Sequence, residues 1–181
     1  MIETIIIALI FSKIKGYKIK TLFKNWTIYP IIIMEIVYIF IQANIFNGNY
    51  QLIKYVGVLK TIYLCTYIPM IFKYNQYMPA ITGAVFTIVG GFLNNIAIRA
   101  NNGKMPVFPT VSHLTGYIKA DSFIKINDIH ILGTSATNLK FLTDIFDIGY
   151  GVLSIGDIFI RFYVFIIIYK SIQYINKLEK I

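Results

Sequence analysis

Apolar residues run along this chain in long blocks broken by short polar joints. They show neither the alternation of a half-buried strand nor the single stripe of a surface helix. A short first block covers about residues 2–14, with Glu3 before its apolar core and lysines after it. Longer blocks follow at about 26–46, 52–72, 78–98 and 150–170. Each is close to the length a helix needs to cross roughly 30 Å of hydrocarbon. Asn47-Gly48-Asn49, Tyr74-Asn75-Gln76 and a loop over about 99–149 separate them. The pattern predicts an all-α polytopic membrane protein, one integral domain over residues 1–181, with about five transmembrane helices and a small extracytoplasmic cap. Within the loop, Phe123–Ile126 and Ile129–Leu132 around Asn127-Asp128 predict a β-hairpin. The mixed stretch Phe141–Phe146 is expected along the membrane surface.

Composition sharpens the class. Of 181 residues, 57% are hydrophobic and only 14% charged, where a soluble domain carries about a quarter. This excludes a disordered, collagen-like or disulfide-framed chain and argues against a soluble one. The first block lacks the leading positive charge and small-residue cleavage site of a secretory signal, so it reads as a short first helix. The single cysteine, Cys65, lies in an apolar run and reads as packing.

The formal charge of +9 gains meaning from its location. Lys13, Lys15, Lys18, Lys20 and Lys24 follow the first helix, Lys73 sits in a short joint, and Lys170, Lys177 and Lys180 follow the last block. Cytoplasmic loops collect lysine in this way, which places the N-terminus outside and the C-terminus inside. The excess charge is expected to meet membrane lipids, not nucleic acid, because no basic stripe interleaves with aromatics on a soluble face.

Glu35, Lys60, Asp157 and Arg161 fall inside the predicted spans. An unpaired charge at the bilayer centre costs about 2.5–3.5 kcal/mol or more, so these groups should face inward. Glu35, Tyr38 and Gln42 form one helical stripe, Lys60, Tyr63 and Tyr67 a second, and Ser154, Asp157 and Arg161 a third. By depth, Glu35 is expected to reach Arg161, and Asp157 to be held by Arg161 and Lys60. The network either fixes helix register or lines a pocket open to the outside. A small-residue face on the fourth block (Ala80, Ala84, Thr87, Gly91, then Asn94 or Asn95) is expected against Gly149, Gly151 and Gly156. No internal repeat supports an inverted-repeat transporter.

Three blocks carry two resemblances. Asn101-Asn102-Gly103-Lys104-Met105-Pro106-Val107 and Ser154-Ile155-Gly156-Asp157 resemble a bacterial membrane family known only by a domain-of-unknown-function label (family 5317), which implies no activity. Gly90-Gly91-Phe92-Leu93-Asn94-Asn95-Ile96-Ala97-Ile98-Arg99 more distantly resembles the third-helix end of lipoprotein signal peptidase, an aspartic membrane peptidase. That resemblance implies that Asn95 and Arg99 match its motif and that Asp157 stands at one catalytic aspartate. Ile98 departs from it, standing where that family has Asp. The second catalytic acid would follow Arg99, but the stretch there reads Met105-Pro106-Val107-Phe108. Asp144 or Asp147 is the candidate substitute, with Asp128 more remote, since aspartic proteolysis needs two carboxylates sharing a proton.

His113 and His130 are the only histidines and carry no paired ligand motif, so no metal and no cofactor is expected. The leading expectation is a non-enzymatic bacterial inner-membrane protein. Its polar pocket of Asn95, Arg99, Asp157 and Arg161, with Glu35 and Lys60, would bind a lipid head group or an acylated peptide. The alternatives are an aspartic peptidase using Asp157 and Asp144, and a small transport component or scaffold.

Overall fold

A computed structural model describes residues 1–119, 122–126 and 128–178. Asn127 of the expected turn and Lys180 of the C-terminal lysines lie outside the described residues. In chain order the helices are α1 (Ile2–Ile14), α2 (Lys20–Phe23), α3 (Tyr29–Phe46), α4 (Val56–Cys65), α5 (Ile68–Lys73), α6 (Tyr77–Ala100), α7 (Val111–Leu114), α8 (Ser122–Ile126) and α9 (Ile155–Leu178). Short strands β1 (Met105–Val107), β2 (His130–Leu132), β3 (Phe146–Asp147) and β4 (Val152–Leu153) lie between α6 and α9.

Among the described residues, three helical segments are long and apolar enough to cross a membrane: Trp26–Phe46, Ile53–Lys73 and Tyr77–Ala100. They coincide closely with the second, third and fourth predicted blocks. Little of each is buried within the fold, 28%, 22% and 17%. Ile36, Phe40, Ile81 and Ile88 therefore face outward, an arrangement compatible with helices solvated by lipid. The second segment is broken between α4 and α5. Pro69 supplies no N–H to the ladder, so it is accommodated in the first turn of a new helix.

The chain divides into two compact units. Unit 1 comprises Met1–Tyr38, Gly57–Thr87 and Ile160–Ile181. Its core is Leu22, Ile31, Tyr63, Tyr67, Met70 and an Ile-rich stretch of α9 that includes Ile167, Ile168 and Ile172, all fully buried. Unit 2 comprises Ile39–Val56 and Ile88–Phe159. Ala97, Met105 and Leu142 form its smaller core.

Three local expectations are corrected. The 123–132 hairpin does not form: Ser122–Ile126 is helical, and β2 pairs in parallel with β1, Met105 opposite His130 and Val107 opposite Leu132. Strand β1 lies far away in sequence, beyond the reach of a hairpin rule. The last helix begins at Ile155, not near Tyr150, because Gly149 takes a left-handed φ of +88° and Val152–Leu153 pairs with β3. The small-residue face of α6 keeps Ala80, Thr87 and Asn94 but runs through Gly83 and Gly90 in place of Ala84 and Gly91. Gly83 and Gly90 are buried, while Ala84 and Gly91 are exposed. In unit 1, a Cβ on Gly83 would lie 2.7 Å from Tyr163 Cδ2. In unit 2, Gly156 packs on Gly90 and Asn94.

Candidate functional site

The two motif blocks acquire their roles in unit 2. Ser154 caps α9: its Oγ accepts from the Asp157 amide at 2.9 Å, and Asp157 Oδ2 accepts from the Ser154 amide at 3.4 Å. This reciprocal pair is a capping box with Asp in place of Glu. The Ser154 hydroxyl donates to Asn94 Oδ1 at 2.7 Å, and Asn94 Nδ2 donates to Asp157 Oδ1 at 3.4 Å. Gly156 has no side chain because one would occupy the Asn94 amide and the Gly90 carbonyl. Ser-Ile-Gly-Asp is thus a cap, a close-approach point and an acid tied to α6.

The 101–107 block ends α6 and starts β1. Asn102 and Gly103 take left-handed φ values of +55° and +80°, the conformation that closes helices. The Gly103 amide donates to Ile98 O at 2.9 Å. Asn101 and Asn138 exchange amide hydrogen bonds, Asn101 Nδ2 to Asn138 O and the Asn138 amide to Asn101 Oδ1, both at 2.9 Å. Strand β1 then receives β2 on one side and Asp144 on the other. Val107 and Asp144 form a parallel bridge, with the Asp144 amide on Pro106 O at 3.1 Å and the Phe108 amide on Asp144 O at 2.8 Å.

This pairing assembles a carboxylate–imidazole centre. His130 Nδ1 lies 2.7 Å from Asp128 Oδ2, and the His130 amide donates to Asp128 Oδ1 at 2.8 Å. His130 Nε2 faces the buried Asp144, 3.8 Å from its Oδ2. Burial pulls the imidazole downward, but the Asp128 hydrogen bond and charge, with the fields of Asp144 and Asp157, carry it above its usual 6.5. Asp128 is raised by burial yet ends below the usual carboxylate value, chiefly through its hydrogen bond to His130. Lys104 Nζ donates to Asp128 O at 3.0 Å. Among the described residues, no three His, Cys, Asp or Glu side chains are placed to share a metal ion.

Asp147 does something different. Its carboxylate accepts from the Thr110 amide (2.6 Å), the Ser112 amide (2.8 Å), the Ser112 hydroxyl (2.5 Å) and the Gly149 amide (2.8 Å). Burial raises it, and the Ser112 hydroxyl and these amides hold it below the ordinary value nonetheless. It closes the loop on itself.

The sequence-predicted residues fall in two units. Asn95, Arg99, Asp144 and Asp157 belong to unit 2, and Glu35, Lys60 and Arg161 to unit 1. Asn94, not Asn95, meets Asp157; Asn95 and Arg99 are exposed, one turn apart on α6. In unit 1 the expected Glu35–Arg161 pair is replaced. Arg161 Nη1 donates to Glu3 at 2.6 Å, while the buried Glu35 accepts from Tyr63 Oη at 2.6 Å. Tyr63 in turn lies 2.7 Å from Tyr67 Oη. Lys60 is half-buried in α4. Neither His113 nor His130 belongs to a paired ligand motif, so the sequence does not single out His130; Asp-x-His over 128–130 is the legible signal.

The model of the family of unknown function DUF5317 matches residues 19–169, a span that contains both motif blocks. The chain belongs to DUF5317. No curated protein and no solved structure matches it. The DUF5317 match covers α2 through most of α9, and so includes Asn94, Asp128, His130, Asp144 and Asp157.

Proposed function

We propose that this DUF5317 chain is a five-span protein of the bacterial inner membrane, N-terminus outside and C-terminus cytoplasmic. Its carboxylate–imidazole centre hydrolyses an acylated or lipid-linked peptide at the membrane surface. The observation that supports this is the seating of Asp144 against Val107, in the stretch after Arg99 where lipoprotein signal peptidase carries its second acid. There Asp144 Oδ2 lies 3.8 Å from His130 Nε2, and the charge of Asp157 also acts on the ring. One carboxylate takes a proton from water as its oxygen attacks the scissile carbonyl carbon. The other acid gives its proton to the carbonyl oxygen. The first acid then passes the proton it took from water to the nitrogen while the second carboxylate takes one back from the gem-diol, and the C–N bond breaks to release the amine and a carboxylic acid. Asp128 orients His130, and the imidazolium offsets part of the charge of the carboxylates around it.

A second reading rests on Asn95 and Arg99, which stand exposed one turn apart at the end of α6. The planar donors of Arg99 suit a phosphate head group, so this pair binds lipid without chemistry.

The protein reconstituted in liposomes with an N-acyl peptide carrying a transmembrane segment separates the two. Product mass spectrometry should show cleavage by the wild type and loss of at least a hundredfold in Asp144→Asn and in Asp157→Asn, on the scale typical of acid–base groups. Cleavage that survives both substitutions, or is absent from the wild type, overturns hydrolysis. Retention of acyl lipid that depends on Arg99 then decides for binding.

A further inference from the structure

We infer that the basic segment between α1 and α3 is a seat for anionic phospholipid head groups. Lys13, Lys15, Lys18, Lys20, Lys24 and Lys73 are all exposed, and no acidic residue occurs between Lys13 and Trp26. A charged linker of this kind would self-repel and wander, but this one is fixed. The Lys18 amide donates to Asn176 Oδ1 at 2.7 Å, and Asn176 Nδ2 donates back to Lys18 O at 3.1 Å. Tyr17 Oη accepts from Gln173 Nε2 at 2.9 Å, and Leu22 is fully buried in the unit 1 core. The backbone is therefore held as a rigid ledge on α9, with its lysines outward.

The ledge also carries exposed apolar groups. Ile14, Phe23 and Trp26 are 74%, 43% and 57% exposed, and Trp26 opens an apolar segment long enough to cross a membrane. Lys73 joins them: its Nζ donates to Asn25 Oδ1 at 2.8 Å and lies 5.9 Å from the centre of the Trp26 ring. Apolar side chains that sit among acyl chains beside ammonium groups at phosphate depth match a lipid surface of negative charge. Soluble anions would leave Ile14 and Trp26 in water.

Trp26 is the sole tryptophan and reports on the ledge directly. The full chain is reconstituted in phosphatidylcholine liposomes containing equal mole fractions of either dibrominated phosphatidylglycerol or dibrominated phosphatidylcholine. Trp26 fluorescence should be quenched about threefold more efficiently by the anionic lipid, and salt at molar concentration should abolish the difference. The Lys18→Gln/Lys20→Gln/Lys24→Gln variant should lose the preference, and the corresponding arginine variant should keep it. Equal quenching by the two lipids in the wild type, or a preference indifferent to salt, overturns the inference whether or not the glutamine variant folds.

Discussion

Gly156→Ala tests the way α9 meets α6 in unit 2. A Cβ there would lie 2.6 Å from Asn94 Cγ and closer still to Asn94 Oδ1 and Gly90 O. The Asn94 side chain can rotate away; the Gly90 carbonyl is helix backbone and cannot. Relief therefore requires separation of the helices, and with it loss of the Asn94 position. Overpacking of this kind costs about 1–3 kcal/mol. Losing the Ser154–Asn94 and Asn94–Asp157 hydrogen bonds adds about 0.5–1.5 kcal/mol each. The total is roughly 2–6 kcal/mol. Gly91→Ala is the matched control: it lies one residue from Gly90, is exposed, and a Cβ there meets nothing within 4 Å. Alanine is up to about 1 kcal/mol better in a helix interior, so this substitution should be neutral or stabilising. Thermal unfolding in detergent, followed by near-ultraviolet signal, should show Gly156→Ala melting several degrees below wild type and Gly91→Ala at or above it. Equal melting of Gly156→Ala and wild type would refute the close-approach reading.

Three further outcomes follow from the same coordinates. Tyr63→Phe removes the hydroxyl that donates to the buried Glu35 and should cost about 1–3 kcal/mol; Tyr63→Phe in a Glu35→Gln background should cost less, and additive losses in the double-mutant cycle would contradict the coupling. His130 is raised and Asp128 lowered, so their mutual stabilisation is full below the usual 6.5 of histidine, fades as pH rises through the raised value, and fades again as pH falls through that of Asp128. Thermal midpoints measured across pH 4–9 should show that alkaline decline in wild type and a flatter profile in His130→Gln; identical profiles would remove His130 from the explanation. Asp147→Ala frees four donors and should open the 108–118 loop to limited proteolysis while leaving the helices protected, a result read by fragment mass.

The helices were legible because their cause is local. A run of some twenty apolar residues can only bury its backbone in lipid as a helix, so blocks 26–46, 52–72 and 78–98 announce themselves. Glu35 and Tyr63 were legible as polar stripes for the same reason: polar groups within apolar helical blocks are expected to turn toward protein. Their partners were not. Depth along ideal spans points Arg161 at Glu35, yet Glu3, on a helix too short to rank by hydropathy, takes the guanidinium. The packing face of α6 was legible at Ala80, Thr87 and Asn94 and off by one residue at the two positions between them. Ala80, Gly83, Thr87, Gly90 and Asn94 carry the three–four spacing of a packed seam, but two consecutive glycines at 90 and 91 gave two possible frames.

By itself, the sequence determined a lipid-compatible helical chain, its acids and bases within apolar blocks, a lysine-rich joint, and two motif blocks flanking a long loop. Only the tertiary structure decided that β2 joins β1 in parallel, that Asp144 returns to the strand after α6, and that His130 stands between two carboxylates with a third in range. The physical reason is sequence separation. Helix formation and membrane partition are governed by neighbours within a few turns, whereas parallel strand pairing and charge clustering depend on contacts whose loop-closure cost and geometry no local window contains.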